Sequence, residues 1–95
     1  MYWTTIILVL ILAPISEELL FRGTMQPLIQ KNTSVWFSII VTGTIFGVMH
    51  FDSITSVPPL IIFGIVLGWW KEKTGWVLFP IVAHLTNNSL VVFGS

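Results

Sequence analysis

The sequence predicts an all-α fold, a polytopic transmembrane bundle of about four helices. The first observation is composition, because 55% of the 95 residues are hydrophobic and 8% are charged, whereas a soluble domain carries roughly 25% charged residues. The second is that the apolar residues form four segments separated by short polar linkers. The third is the absence of the alternating apolar and polar residues that half-buried strands require. Unpaired strand edges are also not tolerated in lipid, so the segments are predicted to be helices.

The four apolar segments span about residues 3–25, 35–50, 58–70 and 76–93. Crossing a bilayer takes roughly 20 helical residues. The two middle segments are shorter, so we expect local thinning of the bilayer or burial behind other helices. Short linkers favour antiparallel neighbours, and the segments are predicted to form one transmembrane domain, residues 1–95. A soluble helical core is the alternative, disfavoured because no segment has a clear polar face.

The first segment contains a proline and a cluster of charges. Pro14 removes a backbone donor and is expected to kink the helix. Glu18 and Arg22 are four residues apart, so they share a helix face and can pair. Glu17 is rotated by about 100° from Glu18, which leaves it free to face the bundle interior. An ion-pair network that only orients the helix is the alternative.

The second and third segments carry glycine pairs at helical spacing. Gly43 and Gly47 lie on one stripe of the second segment, and His50 continues that stripe. Gly64 and Gly68 have the same spacing in the third segment. Such pairs let helix backbones approach closely in a membrane. His50 is therefore predicted to project against a neighbouring helix, although a lone histidine there is more often a core or interfacial residue.

The fourth segment presents His84 and Asn88, four residues apart, on one face. Pro80 lies near the start of this segment, where proline is better tolerated. Buried histidine and asparagine often form hydrogen bonds between transmembrane helices, and that is the structural alternative for this pair.

The lysines predict the orientation of the bundle. Linkers 26–34 and 71–75 hold three lysines, whereas the linker between the second and third segments holds Asp52 and no basic residue. By the positive-inside rule, the two lysine-bearing linkers face the cytoplasm. Tryptophans flank the same linkers, as in an interfacial aromatic belt: Trp36, Trp69, Trp70 and Trp76. The net charge is zero, so nothing indicates nucleic acid, and the absence of cysteine excludes disulfides and a cysteine nucleophile.

Polar residues on three helices are predicted to converge on one site. An ionisable side chain near the centre of a membrane helix is unfavourable by roughly 2.5–3.5 kcal/mol, so several of them require a shared reason. Glu17, His50 and His84 could activate water as a general base or bind zinc with one open position. Asn88 could donate a hydrogen bond to a developing oxyanion. No Ser-His-Asp arrangement or HExxH zinc motif is evident in the sequence.

These residues also resemble a known family, the CAAX protease and bacteriocin-processing (CPBP, or Abi) family of intramembrane proteases, which includes type II CAAX prenyl proteases. Glu17-Glu18-Leu19-Leu20-Phe21-Arg22 fits its EExxxR motif. Residues 46–50, Phe-Gly-Val-Met-His, fit FxxxH, and residues 84–88, His-Leu-Thr-Asn-Asn, fit HxxxN. The three motifs occur in the family's order, each in an apolar segment. The resemblance covers about residues 10–90 and only the family's catalytic core, since relatives usually carry further transmembrane helices before it.

The resemblance implies roles for these residues. Glu17 would be the general base, assisted by His50, while His84 and Asn88 would stabilise the oxyanion. The supporting residues would be Glu18, Arg22 and Phe46. A zinc ion held by His50, His84 and Glu17 is one option, and catalysis without a metal is the other.

The resemblance also implies a substrate and a location. The substrate would be a prenylated CAAX-type protein or a bacteriocin-like peptide, cut near the membrane surface. The protein would be a multi-pass component of a bacterial cytoplasmic membrane. A non-catalytic immunity or scaffold protein that binds a partner peptide is the principal alternative, and a transporter or channel fragment is a third.

Overall fold

Four helices make up the fold in the computed structural model, which describes residues 2–50 and 53–93. They are α1 (Tyr2–Gln30), α2 (Val35–Met49), α3 (Val57–Thr74) and α4 (Leu78–Phe93). The described residues contain no strand, and the predicted all-α class with four helices is confirmed. Asp52, which entered the orientation argument, lies outside the described residues.

Helix α1 contains two π-helical segments, and each ends two residues before a proline. Leu8–Leu12 precedes Pro14, and Phe21–Met25 precedes Pro27. A proline lacks the N–H that would bond to the carbonyl four residues earlier, and its ring clashes with that carbonyl. The wider π-helical turn relieves both problems. The helix therefore passes both prolines and continues to residue 30, so the prediction that a linker begins at residue 26 is wrong.

The other helix ends follow from local sequence. Ser34 caps α2, its hydroxyl accepting a hydrogen bond from the Phe37 N–H at 3.1 Å. Pro58 lies in the first turn of α3, where its missing N–H is harmless. Gly75 ends α3 with a left-handed φ of 76°. Because α3 continues to Thr74, most of the predicted linker 71–75 is the last turn of a helix.

Helices α2 and α3 pack backbone against backbone. A Cβ atom on Gly43 would lie 2.7 Å from the backbone nitrogen of Ile65, and one on Gly47 would lie 2.6 Å from that of Ile61. Neither atom could be accommodated, so both positions need glycine for this close approach. The predicted role of the glycine stripe is confirmed, and the contact fixes the end of α2 that leads to His50.

The surface of the bundle suits a lipid environment. By length and composition, α1 is the one described helix able to cross a membrane; it has 29 residues, and an 18-residue stretch of it has a mean hydropathy of 1.9. Large apolar side chains on the other helices are also exposed, among them Met49 at 65%, Ile62 at 63% and Leu90 at 65%. Large apolar side chains are exposed on all four helices, and extensive exposed apolar surface marks membrane or protein contacts.

Candidate active site

Three groups from three helices meet in the bundle. The Oε1 atom of Glu17 on α1 lies 3.0 Å from Nε2 of His50, which directly follows α2. The same oxygen lies 3.4 Å from Nε2 of His84 on α4. The Glu17 and His50 side chains are 33% and 27% exposed, whereas that of His84 is 4% exposed. The structure therefore brings these three predicted residues together. Glu17 and His50 lie on the accessible side of the cluster, and His84 lies on the buried side.

The imidazole of His84 connects two adjacent glutamates. Its Nδ1 atom lies 2.8 Å from Oε2 of Glu18, while its Nε2 atom faces Glu17. The sequence places the two carboxylates on different helix faces, and one ring reaches both because its two nitrogens lie on different edges. Glu18 is completely buried, so its contact fixes the orientation of His84 from the protein interior.

Arg22 neutralises Glu18 and anchors α1 to α3. Its Nη1 atom donates to Glu18 Oε2 at 3.0 Å, which is the predicted pair four residues apart. Its Nη2 atom donates to the backbone carbonyl of Gly64. The guanidinium carbon lies 4.6 Å from the centre of the Phe46 ring, a cation–π contact. Both members of the ion pair are fully buried.

The ring of Phe46 packs against both histidine rings. Its ring centre lies 4.3 Å from that of His50 and 5.4 Å from that of His84. Its carbonyl oxygen lies 2.7 Å from Nδ1 of His50. A carbonyl can only accept, so Nδ1 of His50 carries a proton, and in the neutral ring Nε2 presents a lone pair to Glu17.

The same reasoning applies to His84, and it exposes an electrostatic requirement. Glu18 accepts from both Arg22 and Nδ1 of His84, so in the neutral ring Nε2 of His84 also presents a lone pair to Glu17. With both rings neutral, two nitrogen acceptors then face one carboxylate oxygen, at 3.0 and 3.4 Å, and these contacts are repulsive. The cluster therefore needs a positive charge at its centre, either an added proton or a cation.

Asn88 lies beside this cluster rather than within it. Its Nδ2 atom donates to the carbonyl of Val9 on α1 at 3.2 Å. It also lines a cleft of about 270 Å³ that reaches His50; the lining is Val9, His50, Leu60, Asn87, Asn88 and Val91. Apart from His50 and the two asparagines, the walls of the cleft are aliphatic.

Gln26 is a buried polar residue that sequence reasoning missed. It is fully buried, and its Nε2 atom donates to the carbonyl of Gly68 at 3.2 Å and approaches Glu72 at 3.4 Å. Gln30 also reaches Glu72, at 3.4 Å. The spacing of polar residues could have revealed it, because Gln26 continues the four-residue repeat that begins at Glu18 and ends at Gln30. The π-helical segment keeps them in line, because a wider turn reduces the drift of about 40° that four residues accumulate in an α-helix.

Comparison with known proteins agrees with the motifs. The family model "Type II CAAX prenyl endopeptidase Rce1-like" matches residues 1–90. The chain belongs to this family. The predicted resemblance to type II CAAX prenyl proteases is thereby confirmed, and the match extends over all three residues that converge in this Rce1-like site.

Individual relatives are bacterial. A 24.3 kDa protein of Escherichia coli is 26% identical over 95% of this chain and 44% of its own length. YdiL of Bacillus subtilis strain 168, whose name describes it as a membrane peptidase, is 30% identical over 86% of this chain and 33% of its own length. YyaK of the same strain is 32% identical over 83% of this chain and 30% of its own length. The Rce1-like chain thus spans less than half the length of these relatives. No solved structure matches it.

Proposed function

We propose that this chain is the catalytic core of an intramembrane endopeptidase that hydrolyses a peptide bond near the membrane surface. One observation carries the proposal: Glu17, half-exposed beside a cleft, faces the Nε2 atoms of two histidines whose Nδ1 atoms are already engaged. Here the buried Glu18–Arg22 pair fixes the geometry, and the carboxylate at the open side is left for chemistry.

In the proposed reaction, Glu17 takes a proton from the attacking water. General bases need to lie within hydrogen-bond reach of that water, and the cleft beside His50 brings a substrate carbonyl to the same place. His50, 3.0 Å from Glu17, shares the proton and holds the carboxylate in position. The proton then passes to the leaving amine as the peptide bond breaks.

Two groups would stabilise the oxyanion of the tetrahedral intermediate. Asn88 uses one N–H for Val9 and keeps a second, since its amide nitrogen has two. That second N–H, at the edge of the cleft, would donate to the oxyanion. His84 would assist from the buried side when it carries a proton on Nε2. Removing one such donor from a protease commonly lowers kcat by about 10²–10³.

The same residues also fit a divalent metal ion. The ligand atoms of Glu17, His50 and His84 lie within 4.8 Å of one another, and zinc takes such nitrogen and oxygen ligands at about 2.0–2.2 Å. Metal-bound histidines donate their other N–H to a carboxylate or a backbone carbonyl, as His84 does to Glu18 and His50 to Phe46. When bound, zinc would acidify a water and supply the positive charge that the three acceptors require.

The substrate proposal follows the family. CAAX-type processing of a prenylated protein is the activity that the family description favours, and bacteriocin maturation or self-immunity stays a prediction. We place the chain in a bacterial cytoplasmic membrane as a multi-pass protein, with residues 31–34 and the end of α3 at the cytoplasmic side. The lysines and tryptophans at that end of the bundle support this orientation.

The test compares cleavage of a membrane-peptide library by the wild-type chain and by Glu17→Gln, in detergent, each with and without a zinc chelator. Glutamine keeps the size of the side chain and cannot accept the proton, so we expect the rate to fall by about 10²–10⁴. Glu72→Gln is the matched control, because it makes the same chemical change at the lysine-bearing end of the bundle and should keep the wild-type rate. Loss of cleavage with chelator, and recovery with added zinc, would identify a metalloenzyme.

The rival function, a non-catalytic immunity or scaffold protein, predicts a different pattern. A folded wild-type chain would then cleave nothing, and Glu17→Gln would bind partner peptides as the wild type does. Equal cleavage rates for Glu17→Gln and Glu72→Gln would also contradict a catalytic Glu17.

A further inference from the structure

Asn87 is a second asparagine in the cleft, and unlike Asn88 its side chain has no hydrogen-bond partner among the described residues. Thr86 donates back to the Val82 carbonyl at 2.8 Å, and Asn88 donates to Val9 at 3.2 Å. Within residues 2–50 and 53–93, the side chain of Asn87 forms no hydrogen bond. It is nevertheless only half-exposed, and it lines the cleft together with His50. Asn87 is not one of the motif residues.

A partly buried amide without a protein partner, in the cleft that reaches His50, is suited to bind a ligand. A substrate that fills the cleft would remove this amide from water, and a polar group removed from water without a hydrogen bond is unfavourable by about 1–3 kcal/mol. The side-chain amide offers one acceptor and two donor hydrogens. A peptide group offers one donor and one acceptor, so the two are complementary. The aliphatic walls formed by Val9, Leu60 and Val91 suit the side chains on either side of such a peptide group.

We infer that Asn87 binds a backbone peptide group of the substrate and so aligns the scissile bond with His50. The inference rests on the proposed protease function. It adds a residue that binds the substrate through its peptide backbone. Asn87 and Asn88 then have separate tasks. Asn88 ties α4 to α1 and would donate to the oxyanion, and Asn87 holds an extended peptide by its main chain, whatever side chains that peptide carries.

Direct binding tests this assignment without turnover. The full chain carrying Glu17→Gln is titrated, in detergent, with a capped, dye-labelled peptide made only of leucine and alanine. A second probe has the same side chains but N-methyl groups on alternate backbone amides. In this background, Asn87→Ala and the nearly isosteric Asn87→Leu should each weaken binding of the first probe by about tenfold, the loss expected for one or two hydrogen bonds.

The N-methylated probe shows whether the contact is with the backbone. It should bind the parent chain about tenfold more weakly than the first probe, and Asn87→Ala should lose little further affinity for it. Ser89→Ala is the matched control, a polar residue on the same helix that lines a separate groove with Leu85 and Phe93. It should bind both probes as the parent does.

The failures of the two proposals are distinguishable. Affinities of both Asn87 variants within twofold of the parent, or no saturable binding to the parent, would overturn the inference about Asn87. If the wild-type chain cleaves peptides and Asn87→Ala raises KM with little change in kcat, both proposals stand. If no peptide is cleaved but binding depends on Asn87, the protease proposal fails and the peptide-binding assignment holds.

Discussion

Replacing Gly47 by alanine tests whether the site depends on the close contact between α2 and α3. The added Cβ atom would lie 2.6 Å from the nitrogen and 2.8 Å from the Cα of Ile61, whereas ordinary contacts begin at 3.4 Å. The deficit is about 0.8 Å against backbone atoms, which cannot rotate away as a side chain can. The two helices must therefore separate by close to 1 Å at this point, one turn before His50.

Two quantities should change in Gly47→Ala. Overpacking of this kind is unfavourable by about 1–3 kcal/mol, and the gain in helix propensity from glycine to alanine offsets about 0.5–1 kcal/mol of it. We therefore expect the free energy of unfolding to fall by about 0.5–2 kcal/mol. The distance of 3.0 Å between Glu17 and His50 should lengthen, and a misplacement of about 1 Å can lower a catalytic rate by about 10²-fold.

Thermal unfolding in detergent, followed by circular dichroism, measures the first quantity, and peptide cleavage measures the second. Gly23→Ala is the control, because a Cβ atom there would meet nothing closer than 3.8 Å. It should unfold at the wild-type temperature or slightly above, with the wild-type rate. If Gly47→Ala matches Gly23→Ala in both measurements, the tight helix contact and its role in placing His50 are wrong. The unfolding measurement is informative even if no cleavage is found.

Three further predictions concern the supporting residues and the orientation. Arg22→Lys keeps the charge but cannot bridge Glu18 and the Gly64 carbonyl together, so one buried acceptor loses its donor and the free energy of unfolding should fall by about 1–3 kcal/mol; an unchanged chemical-denaturation midpoint would contradict this. Glu18→Gln should lower kcat or metal affinity by about 10–100-fold, because His84 loses the carboxylate that orients it, and an unaltered rate and metal affinity would count against that role. Lys31→Cys should react with a membrane-impermeant maleimide only after cell lysis, and labelling of intact cells would reverse the orientation.

Much of the arrangement could be predicted from residue spacing. The pair formed by Glu18 and Arg22 follows from four-residue periodicity, and the contact of Gly43 and Gly47 with α3 follows from their common stripe. The all-α class follows from composition. These features depend on composition or on residues that share one helix face, so they can be predicted from the spacing of residues in the sequence.

Contacts between distant segments were harder to predict. Nothing in the sequence indicates that Gln26 bonds to the carbonyl of Gly68, because that contact depends on how α1 and α3 are placed side by side. Pro27 lies two residues beyond the predicted end of the first segment, and the π-helical turn before it lets the helix continue to residue 30. That His84 connects the two glutamates also depends on the position of α4 relative to α1. The catalytic roles of the site residues stay predictions.

The two π-helical segments in α1 have a consequence for comparing sequences across the family. Each wider turn accommodates an additional residue within an otherwise regular helix. Deleting one residue from Leu8–Leu12 would convert the wide turn into a regular one and keep the residues before it on the same faces relative to Glu17, whereas a deletion from a regular turn would rotate them by about 100°. A relative with an uninterrupted α-helix would keep its fold by lacking one residue at that point. Alignments of these proteins should therefore admit single-residue gaps inside a membrane helix, just before a proline, and not only in loops.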